Sequence, residues 1–331
     1  MGTISNINGI DEDDISHHNG ATASLYANYN GDIWDHVPPY SFQGSNYGYV
    51  CGGNGPRDEI EKFQFATDND AADVGNLTES GRCSSSGQSS GVHVYQAGGT
   101  DSLGTIIQQI AVASDGDAVD GGDITSTYNE DKSGNSSSTH GYTSCGYGSW
   151  SNPANDKFLF ASGTNNAVDI GDPVSSRYSV SSQSSATTGY FCGGWYSGPA
   201  WAIIDRFEFA SDGNCTDSGD LDEGMGSHSG QSSTTHGYST CGHGTGVNDN
   251  RNHIKKFAFA SGTQNSTDIG DMTVARRRVA GVSGVTHGYA CGGYTSSAID
   301  TTDKFSFSSD GNGTDVLNLA TARDYVGGTQ Y

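Results

Sequence analysis

A tyrosine, preceded by glycine in all copies but one, recurs along most of the chain at nearly constant spacing. Tyr49, Tyr95, Tyr142, Tyr190, Tyr238 and Tyr289 stand 46, 47, 48, 48 and 51 residues apart. A second marker follows each tyrosine: Lys62-Phe63-Gln64-Phe65, Gln109-Ile110-Ala111-Val112, Lys157-Phe158-Leu159-Phe160, Arg206-Phe207-Glu208-Phe209, Lys256-Phe257-Ala258-Phe259 and Lys304-Phe305-Ser306-Phe307. Repetition at this period restricts the fold more than any other property, because each unit must be one supersecondary module. The marker alternates apolar and polar residues with period two, which is a strand pattern. A turn such as Ser211-Asp212-Gly213-Asn214 follows it, then a short strand ending in Gly219-Asp220-Leu221. A Ser-rich strand, for example Val279-Ala280-Gly281-Val282, leads into the next tyrosine. Four short strands cannot bury both faces of their own sheet. Packing successive sheets around an axis buries them and hides most edges. The expected fold is all-β: a six-bladed β-propeller over 41–331.

Composition fits that reading. Of 331 residues, 49 are Gly and only 6 Pro, so tight turns fall to Gly, Asn, Asp and Ser. Hydrophobic residues are 33%, yet 17 Tyr and 12 Phe are more aromatics than a disordered chain carries. The net charge is −23, and 15 Lys and Arg are spread too thinly to neutralise phosphates, which excludes nucleic acid as a partner. No apolar run approaches the roughly 18 residues of a membrane span, so no membrane insertion is expected. The N-terminus lacks the basic and apolar regions of a signal peptide, which implies folding in a reducing cytoplasm. Cys51, Cys192 and Cys291 share one repeat position, and Cys145 and Cys241 lie one place later. Equivalent points on different blades are too far apart to bridge, so all 7 cysteines are expected to be free thiols.

The period and the Gly52-Gly53, Gly98-Gly99, Gly193-Gly194 and Gly292-Gly293 doublets resemble Kelch repeats, as do Ala275-Arg276 and Ala322-Arg323 at repeat ends. The family's Trp in the fourth strand is missing, and the third and fifth repeats read Cys145-Gly146-Tyr147-Gly148 and Cys241-Gly242-His243-Gly244. Those two also share Ala-Ser-Gly-Thr at 161–164 and 260–263, so alternate blades look related by duplication of a blade pair. The segment from Ala322 to Gly328 parallels that from Ala275 to Gly281, the start of a repeat. The C-terminal strand is therefore expected to complete the first blade and lock the ring.

Residues 1–31 carry a different repeat, of period eleven. Ile4-Ser5-Asn6-Ile7-Asn8-Gly9, Ile15-Ser16-His17-His18-Asn19-Gly20 and Tyr26-Ala27-Asn28-Tyr29-Asn30-Gly31 align without gaps. Asn-Gly favours two-residue hairpin turns. Residues 1–40 form either a flexible tail or a small module that packs against another chain. The Ile-Ser-x-x-Asn-Gly opening, followed by Thr-His-Gly-Tyr and Lys-Phe-x-Phe-Ala-Ser-Asp-Gly repeats, resembles virion proteins of tailed bacteriophages, especially marine and cyanobacterial ones. The resemblance implies a structural or tail-fibre-like protein of the virion, assembled in the host cytoplasm and oligomeric on the particle. In that setting residues 1–40 would dock on other virion proteins and the propeller would recognise a host-surface glycan or protein. The alternatives are a capsid or tail decoration protein that binds no receptor, and a carbohydrate-active enzyme.

The loops after the second strands hold Tyr147, Trp150, Trp195, Tyr196, Trp201 and Tyr294, three of the chain's 4 Trp among them. Aromatics gathered on one face suit stacking on sugar rings or a protein contact; alternatively they pack over the blades themselves. Tyr47, His93, His140, Thr188, His236 and His287 precede the Gly-Tyr pair. Equivalent positions around a ring lie too far apart for one metal ion, so blade-to-blade hydrogen bonding is expected of the four histidines. The turns Asp68-Asn69-Asp70, Asp115-Gly116-Asp117, Asp212-Gly213-Asn214 and Asp310-Gly311-Asn312 lack the length and terminal Glu of a calcium loop. The sequons at Asn76, Asn135, Asn214, Asn265 and Asn312 follow from Ser/Thr-rich composition. No nucleophile elbow, phosphate loop or zinc helix is present, so neither catalysis nor a cofactor is expected.

Overall fold

The structure is a computed structural model. It describes residues 43–330 apart from 56, 79–85, 100–103, 126–130, 148–153, 161–162, 247 and 261, together with four two-residue strands nearer the N-terminus. The chain divides into two compact units, Met1–Ser41 and Phe42–Tyr331. In the first, Asn6–Ile7 pairs with Ile10–Asp11 and His17–His18 with Ala21–Thr22. Both registers, Ile7↔Ile10 and His18↔Ala21, leave two residues between the strands, the Asn-Gly dipeptides at 8–9 and 19–20. The third copy of this repeat lies outside the described residues.

The second unit is a six-bladed β-propeller, six four-stranded antiparallel sheets in a ring. In the fourth blade the strands, from axis to rim, are Ser181–Ser184, Thr188–Cys192, Ile203–Glu208 and Thr216–Asp220. The first blade takes its innermost strand, Gly327–Gln330, from the C-terminus; Thr329 faces Tyr49 and Gly327 faces Cys51. The expected ring closure is therefore present. The Gly-Tyr motif has a steric cause. Gly48, Gly141, Gly189, Gly237 and Gly288 lie opposite Phe63, Phe158, Phe207, Phe257 and Phe305, whose rings occupy the space of a β-carbon. The second blade has Val94 opposite Ile110, so glycine and phenylalanine are exchanged there together. Four of the tyrosines then stack on the next blade's second phenylalanine; Tyr289 meets Phe65 at a tilt, and Tyr49 faces a blade with Val112 at that place. Tyr95–Phe160, Tyr142–Phe209, Tyr190–Phe259 and Tyr238–Phe307 have centroids 4.9–5.0 Å apart.

Around the axis runs a closed belt of hydrogen bonds built from the Ser-rich strands. The backbone N–H of Ser89 donates to Ser136 Oγ (3.0 Å), Ser136 to Ser184 (3.1 Å), Ser184 to Ser232 (3.0 Å) and Ser232 to Ser283 (3.0 Å). Ser283 donates to Gln330 Oε1 (3.1 Å), and Gln330 Nε2 reaches Ser89 at 3.5 Å to close the belt. One residue earlier, side-chain amides staple four of the blades to the next. Gln88, Asn135, Gln183 and Gln231 donate to the carbonyls of Tyr142, Tyr190, Tyr238 and Tyr289 at 2.8–3.3 Å. A third ring circles the rim. The N–H groups of Asn76, Asp123, Asp172, Asp220, Asp271 and Asn318 donate to Asp117, Asn166, Asn214, Asn265, Asn312 and Asp70 of the following blade. The Asn of three sequons thus serves as an acceptor between blades.

In five blades the third strand presents an acceptor to the connection beside it. Thr78, Thr125, Val174, Thr273 and Ala320 donate their N–H to Gln108, Asp156, Asp205, Asp303 and Glu61 at 2.9–3.1 Å. In three blades a buried arginine completes the brace: Arg177 to Asp205 (3.1 Å), Arg276 to Asp303 (2.9 Å), and Arg323 to Glu61. The fifth blade inverts the charges. Met225 stands in the arginine's place and Lys255 in the acid's, with Asp222, Glu223 and Asp268 at 2.9–3.2 Å from its Nζ.

Two outcomes are expected. Deleting 327–331 removes the innermost strand of the first blade and the Gln330 link that closes the serine belt, and thermal denaturation followed by circular dichroism should lose its cooperative transition; a melt matching the full chain would count against closure. Arg276→Ala leaves Asp303 buried without its counter-charge and should cost about 3–5 kcal/mol in chemical denaturation.

Candidate functional site

Loops after the second and fourth strands share one face of the propeller, and loops after the first and third share the other. On the first of these faces the glycine doublets set the geometry. Gly193 (φ 63°) and Gly194 (φ 101°) end the second strand in conformations open to glycine, and they turn Trp195 back toward the incoming connection. Cys145 and Cys241 take the first doublet position with φ 60° each, followed by Gly146 and Gly242. The residue after the doublet is then locked by a reciprocal backbone pair. Trp195 pairs with Tyr178 (2.9 and 3.1 Å), His243 with Gly226 (2.8 and 3.0 Å), and Tyr294 with Arg277 (2.8 and 3.1 Å).

This register lines up side chains from four consecutive blades. Tyr147, 48% exposed, meets Tyr178 edge-on at 4.9 Å. The half-buried Trp195 covers Gly226, where a β-carbon would collide with its indole, and its ring lies 5.5 Å from His243. Tyr196 meets Trp201 edge-on at 6.0 Å. Arg277 and Arg278 sit 5.1 and 5.3 Å from the Tyr294 ring, and Arg278 lies 4.0 Å from Tyr325. Burial and the Arg277 charge hold the His243 imidazole below its usual pKa. The expected residues Tyr147, Trp195, Tyr196, Trp201 and Tyr294 all stand on this face, whereas Trp150 lies outside the described residues. The arrangement joins the two alternatives: the rings pack on their neighbours and still leave edges open. Tyr178, His243, Arg277, Arg278 and Tyr325 were not foreseen. The signal was available, because each occupies a repeat-equivalent place beside a doublet or at the start of an innermost strand.

At the centre of the same face opens a cavity of about 140 Å³ running down the axis. Its mouth is formed by Asp131, Ser179, Ser227, Arg278 and Tyr325, all with φ between 53° and 60°. Their backbones are linked in succession by hydrogen bonds of 2.7–3.2 Å. At the opposite mouth the buried Gln43 donates Nε2 to Ser232 O (3.1 Å) and Gly44 donates its N–H to Ser283 O (2.8 Å). The chain therefore enters the propeller on the face away from the aromatics.

The remaining sequence candidates take structural places. His140, His236 and His287 bond through Nδ1 to the preceding Thr139, Thr235 and Thr286 at 2.8 Å, within the blade and not between blades as expected. They start the second strand, beside their own turn, where the neighbouring hydroxyl is nearer than the next blade. The Asp-Gly turns are salt-bridged by the preceding blade: Lys62–Asp115 (2.7 Å), Lys157–Asp212 (2.5 Å), Lys256–Asp310 (2.7 Å) and Lys304–Asp68. Where the turn carries Gly163 or Gly262 instead, the preceding blade carries Gln109 or Arg206 in place of lysine. Cys51, Cys145, Cys192, Cys215, Cys241 and Cys291 are free and buried; burial pushes the Cys51 and Cys291 thiols up to about 12. Cys83 lies outside the described residues.

His228 lines the cavity where other blades place Val180, Val279 and Val326. Burial, reinforced by the Arg177 charge, lowers its pKa to about 3. The unfolded histidine, near 6.5, binds the proton that the folded one refuses, so stability is full above that value and falls as pH drops toward 3. His228→Val should reduce the loss of stability between about pH 6.5 and 5 by up to ~1.4 kcal/mol per pH unit relative to the parent; parallel curves for the two proteins would refute this. Neither a protein-family model nor a curated protein matches the chain, so what is established is the propeller and the arc of side chains on its doublet face.

Proposed function

We propose that the propeller is a recognition module whose aromatic arc binds a host-surface glycan or protein, and that the chain is a structural protein of a tailed-bacteriophage virion. The observation that carries the first part is the arc itself: Tyr147, Trp195, Tyr196, Trp201 and Tyr294 on one face, with Trp195 and Tyr294 held by reciprocal backbone pairs and the others by ring contacts. Preorganised rings lose little conformational entropy on binding. Kelch-like repeats and the eleven-residue Asn-Gly repeat support the second part through resemblance. Residues 1–40 would dock on neighbouring virion proteins, and the entry of the chain at Gln43 and Gly44, on the far face, leaves the arc facing outward. A decoration role without a receptor draws support from the packing of Trp195 on Gly226, which gives the indole a structural task as well.

Replacing Trp195 and Trp201 with Ala should leave particle incorporation intact and weaken attachment to host cells. Stacking on aromatics is worth about 1–3 kcal/mol per ring, so affinity should fall about tenfold or more. Adsorption assays on virions carrying both substitutions, with melting curves of the isolated protein alongside, separate the readings. Unchanged adsorption would favour decoration over recognition.

A further inference from the structure

The distribution of positive charge on the doublet face carries a second conclusion, which rests on the recognition reading. In a chain of net charge −23 the described lysines and arginines are nearly all neutralised by a carboxylate within 4 Å. Lys132 is buried and donates to Cys145 O at 2.9 Å. Arg206 lies in the third strand of the fourth blade. The remaining exception is Arg277, half-buried on the aromatic arc, and no described carboxylate pairs with it.

Its surroundings are polar and rigid. Arg277 Nη1 donates to Asn250 Oδ1 at 3.0 Å, and Asn250 is itself held by the carbonyls of Tyr294 and Thr295. The Tyr294 ring lies 5.1 Å from the guanidinium, and His243 is near enough for the Arg277 charge to act on it. That leaves a planar donor fork spanning two blades, fixed by a neutral amide where an acid would have cancelled its charge. Arg278, next in sequence, faces the same tyrosine and the mouth of the axial cavity, with Asp324 at 3.3 Å. A guanidinium fork binds a carboxylate or sulfate through two parallel hydrogen bonds, and aromatic rings beside it accept the apolar face of a sugar.

We propose that Arg277, assisted by Arg278 and Tyr294, is a subsite for an anionic sugar unit, one bearing a carboxylate or a sulfate group. The stacking platform would lie toward Trp195 and His243.

Three probes test it by calorimetry with the full chain: a polygalacturonate oligosaccharide, dextran sulfate and neutral dextran. At least one anionic probe should bind and the neutral one should not; which of them binds distinguishes carboxylate from sulfate. Arg277→Gln should weaken that binding about tenfold or more, the loss expected for a charge-assisted bidentate contact, and Arg277→Lys should recover only part of it. Arg206→Gln removes an equal charge from the fourth blade and should change nothing; equal losses from Arg206→Gln and Arg277→Gln would reduce the effect to net charge and overturn the subsite. Binding of neutral dextran that is lost with Trp195→Ala but kept with Arg277→Gln would overturn the anionic subsite and leave the recognition reading standing. Absence of binding by all three probes, with cell adsorption unchanged in the Trp195 and Trp201 variant, would remove both.

Discussion

Backbone N–H groups that cannot find partners inside a four-stranded blade find them in the blade beside it, and the ring depends on that exchange. A propeller strand at the axis has one free edge, and an unpaired buried N–H is costly. Ser136, Ser184, Ser232, Ser283 and Gln330 each answer this need with a side-chain oxygen, and Ser89 accepts the Gln330 side-chain amide that completes the circle. Hydroxyls are small enough for the tight spacing at the axis, where Gly134, Gly230, Gly281 and Gly328 leave no room for a β-carbon against the preceding blade. At the rim, where the spacing is wider, longer Asp and Asn side chains do the same task. The low hydrophobic fraction of the chain is then no sign of weakness. Polar contacts between blades stand where a larger domain would place aliphatic ones.

Much of this architecture could be read from the sequence, and the unread part has a common cause. The period of the tyrosines gave the blades, and the alternation of the Lys-Phe-x-Phe marker placed the third strand of each. The C-terminal strand was legible because Ala322–Gly328 copies the start of a repeat. The Asx ring, the amide staples and the Lys–Asp pairs were not read, although every residue in them was in view. They join positions about one repeat apart, and a reader who aligns the repeats sees those positions as equivalent instead of as touching. Lys62 and Asp115 belong to different columns of the alignment, and their partnership shows only when Gln109 and Arg206 are seen opposite glycine turns. The histidines erred in the other direction. Equivalence suggested contact between blades, whereas Thr139, Thr235 and Thr286 lay one residue away.

For the candidate site the same distinction holds. Six aromatics could be assigned to one face from topology, but their mutual geometry depends on the doublets and on reciprocal pairs such as Trp195 with Tyr178. Arg277 and Arg278 gave no signal by composition. Their meaning comes from the pairing of nearly every other cation, which is a property of the folded molecule. Because backbone pairs fix Trp195, His243 and Tyr294, changes to side chains at those places can alter what the face contacts without altering its frame.

The side-chain part of the exchange between blades also has a direction, although backbone groups such as Ala118 N–H and Cys215 N–H donate back to the preceding blade. Gln88, Asn135, Gln183 and Gln231 reach forward, as do the serine N–H groups, the lysines and the rim N–H groups; each blade offers these donors on its leading side and the matching acceptors on its trailing side. Such a blade is a tile with two unlike, complementary edges, and the intact chain is safe only because its sixth leading edge meets its own first trailing edge. A fragment that lost one blade would expose both edges at once, each fitted to the other on a second fragment. Contacts of that head-to-tail kind do not terminate unless the rotation closes.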